Sequence, residues 1–221
     1  MSLILNIDTA LEKASICLAE NGRPLLFSNT EEQKDIASWL HPAIQQLLRE
    51  SGKELKELSA IAVSNGPGSY TGLRIGLSAA KGLCYALGCP LITIHSTELL
   101  AFAVKDAAED LIIPLIDARR NEVFTAVYDR FMRVKNSTYA MVLEPRSFSS
   151  VLEDHKIIFA GTAIGKARNF ISHPNAQFSE VLGDARHLSA LSELRHVQKD
   201  YADLAYTEPF YSKEFHSGTG G

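Results

Sequence analysis

Through the first thirty positions the apolar residues come in short runs broken by polar turns. Leu3-Ile4-Leu5-Asn6-Ile7-Asp8 is a mostly apolar run ending on a carboxylate, Ala14-Ser15-Ile16-Cys17-Leu18 alternates loosely, and Pro24 to Phe27 follows the turn pair Asn21-Gly22. The pattern predicts a three-stranded meander. From Lys34 to Arg49 the period changes. Ile36, Ala37, Leu40, Ile44, Leu47 and Leu48 recur at helical spacing, Gly52 stands where a left-handed cap would, and Pro42 is expected to kink the helix. Ser59 to Asn65 predicts a buried strand. Gly66 to Gly72 is then a loop opening a helix that runs to about Leu87, with Gly88 as its stop. Pro90 to Ile94 predicts a strand and Ser96 to Ala108 a helix, with Ser96 or Thr97 as N-cap and Glu98 in the first turn. The order is βββαβαβα.

The second half opens as the first does. Aligning Asp117 with Asp8 lays Ile112-Ile113-Pro114-Leu115-Ile116-Asp117-Ala118 over Leu3 to Thr9, and Val123 to Tyr128 over Ala14 to Ala19. A repeated strand, acidic turn and returning strand indicates a duplicated architecture. Lys156 to Ala160 predicts a strand leading to the turn Gly161-Thr162-Ala163-Ile164-Gly165. Lys166 to Ser172 predicts a short helix, and His187 to Leu204 a closing one. The expected organisation is an N-terminal lobe at 1–104, a smaller C-terminal lobe at 105–206, and an extended tail at 207–221 whose glycine-rich end is expected to be disordered.

Composition narrows the class. Hydrophobic residues make up 46% and charged residues 22% of the 221, which sets aside disordered, collagen-like and coiled-coil readings. Lys plus Arg number 22 against 26 Asp plus Glu, and no basic cluster stands out. Binding of nucleic acid by this chain alone is therefore not expected, and any link to RNA would need a partner. No apolar run approaches the roughly 20 residues of a membrane span, and the N-terminus has no basic stretch of the signal-peptide kind. The expected place is the cytoplasm. Cys17, Cys84 and Cys89 are odd in number, and C-x4-C has no second pair, so the three are read as reduced, mostly buried thiols.

The stretch Gly66-Pro67-Gly68-Ser69-Tyr70-Thr71-Gly72-Leu73-Arg74 carries the most chemistry. It follows a strand and opens a helix, so its backbone N–H groups could hold an anion, but Leu73-Arg74 replaces the Lys-Ser/Thr pair of a P-loop. The competing reading, a tight turn capped by Ser69 or Thr71, has the stronger claim. Asp8-Thr9 and Asp117 each end a buried strand, where they could meet a phosphate or a metal-bound water or could only bond turn N–H groups. The candidate nucleotide or anion residues are thus Asp8, Thr9, Gly66, Gly68, Ser69, Thr71 and Arg74. The seven histidines show neither an H-x-x-x-H pair nor an H-E-x-x-H motif, and no Gly-x-Ser-x-Gly elbow occurs, so neither a metal site nor a catalytic one is predicted. Gly72, Gly76 and Ala80 fall at four-residue spacing on one helical face that another backbone could approach closely. The preceding helix holds Trp39, the one tryptophan. Core packing and an interface with a second protein are both open for this pair.

Ser64-Asn65-Gly66-Pro67-Gly68-Ser69-Tyr70-Thr71-Gly72-Leu73-Arg74-Ile75-Gly76 closely resembles the TsaB (YeaZ) family, partner subunits in making threonylcarbamoyladenosine on tRNA. Ile7-Asp8-Thr9-Ala10, Ile116-Asp117-Ala118-Arg119 with Glu122-Val123, and Glu208-Pro209-Phe210-Tyr211-Ser212-Lys213 agree in order and spacing. The resemblance implies an α/β fold of the actin-like ATPase superfamily (ASKHA, ribonuclease H-like), two lobes built on duplicated βββαβα-type units. It also implies a non-catalytic subunit that pairs with a TsaD-like catalytic subunit through the two helices at 34–49 and 72–87. In this chain those helices offer Trp39, Leu40, Ile44, Leu47, Gly72, Leu73, Ile75, Gly76, Ala79, Ala80 and Leu83. Further expectations are a TsaE-like ATPase as third component, ATP and Mg used by the complex rather than bound by this chain alone, tRNA reached only through the complex, and a homodimer in isolation. Many relatives carry a His early in the first of these helices, where this chain has Lys34-Asp35-Ile36. The alternative from another class is a small-molecule kinase or ATP hydrolase of the same fold, using Asp8 with Mg²⁺.

Overall fold

The computed structural model describes residues 1–11, 13–30 and 35–211. Lys34, the expected start of the first helix, and the glycine-rich end from Ser212 to Gly221 lie outside the described residues. The meander forms as β1 (Leu3–Asp8), β2 (Ser15–Glu20) and β3 (Arg23–Asn29). Asn21 and Gly22 both take positive φ, as a two-residue hairpin turn requires. Two helical crossovers, α1 (Ile36–Ser51) and α2 (Tyr70–Leu87), add β4 (Ala60–Ser64) and β5 (Leu91–Ile94) in parallel, giving the sheet order β3-β2-β1-β4-β5. β1 and β4 are buried along their whole length, so they read as apolar runs rather than alternations.

The second sheet repeats the first. β6 (Leu111–Asp117), β7 (Glu122–Asp129), β8 (Val134–Val142), β9 (Ile157–Ala160) and β10 (Ala176–Ser179) stand in the order β10-β9-β6-β7-β8, each strand in the place of its counterpart. The short helices α4 (Ser149–Asp154) and α5 (Ile164–Ala167) take the crossover positions. Each sheet has its own core. Leu5, Ile7, Leu18, Leu40, Ile44, Leu47, Ile61 and Ala80 pack together under α1 and α2, and Ile113, Leu115, Val123, Leu152, Phe159 and Ile164 under α4 and α5.

The last helix of each half crosses to the other sheet. α3 (Ser96–Val104) follows β5 but lays Ala101 and Val104 on Ile112, Ala126 and Ile158 of the second sheet. α6 (Ala185–Gln198) follows β10 but lays Leu188 and Leu191 on Ile4, Ala62 and Ile92 of the first. Arg195 of α6 meets Glu98 of α3 at 3.0 and 3.1 Å where the two pass. The strands of the first sheet lie within residues 3–94 and those of the second within 111–179, while the last helix of each half packs on the other sheet. Each of the two helices covers an apolar face of the other half's sheet.

Several local expectations change. The cap of α3 is His95 without a side-chain bond, because Ser96 is fully buried and Thr97 bonds Thr138 at 2.7 Å. α3 stops at Val104 and continues as a 3-10 turn at Lys105–Ala107, short of the expected Ala108. α5 begins two residues before the expected Lys166 and ends at Ala167. α6 starts at an Asp184 cap and ends at Lys199 in the left-handed region, so 200–204 is not helical; Ala202 bridges the edge of β5 at Leu91 instead. α1 runs through Pro42 as one helix.

Candidate functional site

Asp8 ends β1 and is almost completely buried. One carboxylate oxygen, Oδ1, accepts from the Ser64 hydroxyl on the neighbouring β4 and from the Ala10 N–H at 3.1 Å. The other oxygen is buried without a hydrogen-bond partner. Burial pushes the Asp8 carboxyl up to about 6, against the lowering effect of those two bonds. Ala185 N at the start of α6 donates to Ser15 Oγ at 3.0 Å, beside Asp8 across the hairpin. This brings the Asp184 carboxylate near enough to add a small further upward push.

The glycine loop lies directly over the turn after Asp8. Ser69 N donates to Ala10 O at 2.7 Å, and Thr9 Oγ1 donates to Gly72 O at 2.8 Å. A Cβ on Gly68 would collide with Ala10 O, on Gly72 with Thr9 O, and on Gly76 with Thr9 Oγ1. The small face of α2 thus exists to let the helix rest on the Thr9-Ala10 turn, not on another helix. Ser69 is the N-cap and accepts from Gly72 N at 3.3 Å, whereas Thr71 lies inside the helix with its side chain exposed. Gly66, at φ 114°, sits against the Phe210 carbonyl, and Phe210 N returns to Asn65 O at 2.7 Å. The Arg74 guanidinium stacks 3.8 Å from the Tyr70 ring centre and donates to the Tyr211 hydroxyl at 3.1 Å. Ser69 N, Gly72 N and the Arg74 guanidinium, three of the groups that could face an anion here, are engaged within the chain.

Asp117, the repeat counterpart of Asp8, has a different environment. It is exposed, and Lys166 Nζ of α5 reaches Oδ1 at 2.8 Å while Arg119 N donates to the same oxygen at 2.6 Å. Partial burial works upward on this carboxyl, but the Lys166 and Arg119 bonds outweigh it and hold Asp117 below the usual carboxylate range. Between the two acidic turns lies an apolar cluster of Ala10, Leu11, Leu73, Leu100 and Ile116, with Phe124 against it. It joins residues of both lobes at the strand ends. Among the described residues no group of three His, Cys, Asp or Glu side chains could hold a metal ion, and no helix is long and apolar enough to cross a membrane.

The predicted interface residues divide in four. Leu40, Ile44, Leu47 and Ala80 are buried in the core under the first sheet; Leu73 joins the cluster between the lobes; Gly72 and Gly76 face Thr9. Trp39, Ile75 and Leu83 remain partly exposed, and Ala79 is at the edge of burial. Ile75, Ala79 and Leu83, at four-residue spacing on α2, line a groove of about 400 Å³ with Ala37, Leu40 and His41 of α1 and Ser78 and Gly82 of α2. Sequence reasoning missed Ala37, His41, Ser78 and Gly82. The signal was available in Gly82, a glycine well inside a helix, one turn past Ala79 and beside Leu83. It also missed Lys166, which reaches Asp117 from another element.

A family model described as TsaD, tRNA N6-adenosine threonylcarbamoyltransferase, matches residues 30–207. The tRNA threonylcarbamoyladenosine biosynthesis protein TsaB of Bacillus subtilis is 30% identical, over 94% of this chain and 93% of its own. The chain belongs to the TsaB family. YeaZ from Pseudomonas aeruginosa matches with a TM-score of 0.84 at 28% identity, covering 96% of this chain and 100% of that one. The activator of the 2-hydroxyisocaproyl-CoA dehydratase from Clostridium difficile, solved with ADPNP bound, matches with a TM-score of 0.51 at 9% identity over 91% of this chain and 98% of that one. That last likeness concerns the fold alone. Together with the paired β10-β9-β6-β7-β8 and β5-β4-β1-β2-β3 sheets, it makes the expected actin-like ATPase-superfamily fold the observed one. In this TsaB-family chain, the α1/α2 groove lies open at the surface of the first lobe.

Proposed function

We propose that this chain is a non-catalytic subunit in tRNA threonylcarbamoyladenosine biosynthesis, and that it pairs with a TsaD-like catalytic subunit through the groove between α1 and α2. The observation that carries this reading is the apolar groove itself. Ile75, Ala79, Gly82 and Leu83 offer a shallow, small-residue surface beside Trp39, on helices whose opposite faces are already core. A facing helix can come close to Ala79 and Gly82 and bury the larger side chains on either side. The reaction belongs to the partner. Asp8 is enclosed by Ser64 and Ala10, Asp117 is paired with Lys166, and Leu11, Leu73, Leu100 and Ile116 pack together across the lobes. ATP and Mg²⁺ are accordingly used by the assembled complex with a TsaE-like ATPase, and tRNA is held by the assembly. Alone, the chain pairs with a second copy across the same groove.

Sedimentation of the chain alone and mixed with the TsaD-like protein of the same organism, with and without ATP and Mg²⁺, tests the reading. A one-to-one complex should displace the self-associated form, with threonylcarbamoyl transfer only in the mixture. Ala79→Arg and Gly82→Arg each place a cation in the groove, and an unpaired, desolvated charge should weaken pairing by about 100-fold or more. Nothing lies within 4 Å of a Cβ on Gly82, so this variant should keep the circular dichroism and melting behaviour of the wild type. Ala80 is unsuitable because its side chain faces the core. Undiminished pairing in both variants would move the contact to another face. Steady ATP turnover by the isolated chain, lost in Asp8→Ala, would make the nucleotide-hydrolysing reading the leading one.

A further inference from the structure

Helix α2 ends in a turn that forces two particular side chains together. Gly88 is left-handed at φ 65°, and Cys89 N turns back to donate to Cys84 O at 3.2 Å. This six-residue closure sets the side chains of its first and last residues against each other, the place where helices commonly bring two apolar groups into contact. Here both groups are thiols. Cys84 is buried, with its Sγ 3.5 Å from Pro90 O, while Cys89 is partly exposed. Both line an open groove of about 610 Å³ shared with Tyr85, His196 and Tyr201.

We propose that Cys84 and Cys89 form a reactive dithiol that hydroperoxides close to an intramolecular disulfide, Cys89 attacking and Cys84 resolving. The Cys89 sulfur attacks the outer oxygen of the peroxide, the O–O bond breaks, and the departing alkoxide leaves as an alcohol after taking a proton. Cys89 is now a sulfenic acid, oxidised by two electrons. The Cys84 sulfur then attacks the Cys89 sulfur, the S–O bond breaks, and the hydroxide leaves as water with the Cys84 proton. Two thiols and one hydroperoxide have become one disulfide, one alcohol and one water. Two equivalents of a small thiol reverse the change by exchange.

The asymmetry of the pair fits these roles. The neighbouring Cys84 thiol lowers Cys89 to about 7, so a thiolate is present at neutral pH, and the nearby Cys89 together with burial pushes the Cys84 thiol up. Cys17 is fully buried between β2 and α6 and its thiol is pushed up by burial, which makes it the internal control.

Peptide mapping of the full chain under non-reducing conditions, after hydrogen peroxide at neutral pH, tests the proposal without any variant. Two of the three thiols should be lost, with a linked 84–89 peptide lighter by two hydrogens and Cys17 still free. Iodoacetamide should label Cys89 at least about 10-fold faster than Cys17, with a half-maximal rate near pH 7. In Cys84→Ser the oxidation should stop at Cys89 sulfenic acid, captured by dimedone. Three free thiols after peroxide, a disulfide only between two chains, or a Cys89 that labels no faster than Cys17 would each overturn it.

Discussion

Thr9 decides how closely α2 can approach the first sheet. Its hydroxyl holds Gly72 O at 2.8 Å, and its own atoms fill the space where a Cβ on Gly72 or Gly76 would stand. Gly82, on the same helix, faces open space. The two glycines should therefore answer alanine in opposite ways. Gly82→Ala gains about 1 kcal/mol of helix propensity. Gly76→Ala gains the same propensity but must displace Thr9, and should lose about 1–3 kcal/mol net. Urea unfolding of both variants checks the contrast, and a Gly76→Ala as stable as wild type would mean that Thr9 rotates away freely. Asp8 gives a second single-residue effect. Its carboxyl is raised from about 3.8 to about 6, so the stability it contributes is fully present below its unfolded value and is lost as pH rises through about 6. A shift of about 2 units corresponds to about 3 kcal/mol. Asp8→Asn cannot ionise, so relative to wild type it should gain about that much between roughly pH 4 and pH 7.5. Parallel pH profiles for the two proteins would place the Asp8 carboxylate in contact with water.

At the scale of elements, α2 separates what a sequence carries from what it leaves out. Its existence, a cap at Ser69 or Thr71 and its Gly88 stop were legible, because each depends on residues within one or two turns, and the fold takes Ser69. Its orientation was not. Gly72, Gly76 and Ala80 share a face, and periodicity alone cannot say whether that face meets a helix, a turn or solvent. The fold answers with Thr9 for the glycines and the core for Ala80. The open groove lies one step around the helix, along Ile75, Ala79 and Leu83. β8 was hidden for another reason: Val134 to Ser137 are all exposed on an edge strand whose pairing with β7 is made by backbone, so little apolar pattern marks it. α6 was found but misplaced at both ends, since it opens on Asp184 and stops at Lys199, a left-handed residue that is not glycine. Asp117 was visible as an acidic turn, whereas its neutralisation by Lys166 depends on α5 folding back over β6.

The whole molecule is tied together by the two exchanged helices and by the apolar cluster between the lobes. Leu100 belongs to both arrangements. It lies on α3, which covers the second sheet, and packs with Ala10, Leu11 and Leu73 from the first lobe and Ile116 from the second, with no exposed surface. Leu100→Ala should cost about 2–5 kcal/mol, as other buried leucine truncations do. The distinctive expectation is where the loss is felt. Native-state hydrogen exchange should speed up on both sides of the cleft, at Ala10-Leu11 and at Ile116, because one side chain supports both turns. Leu40→Ala removes an equally buried leucine from the first-lobe core, away from that cluster, and should loosen α1 and its sheet while leaving Ile116 protected. If Leu100→Ala opens one lobe and not the other, the lobes are joined by the Glu98–Arg195 pair of the crossing helices and not by the cluster. If both open, the apolar contacts of this cluster hold the lobes in one arrangement, and α1 and α2 present their groove from a rigid base.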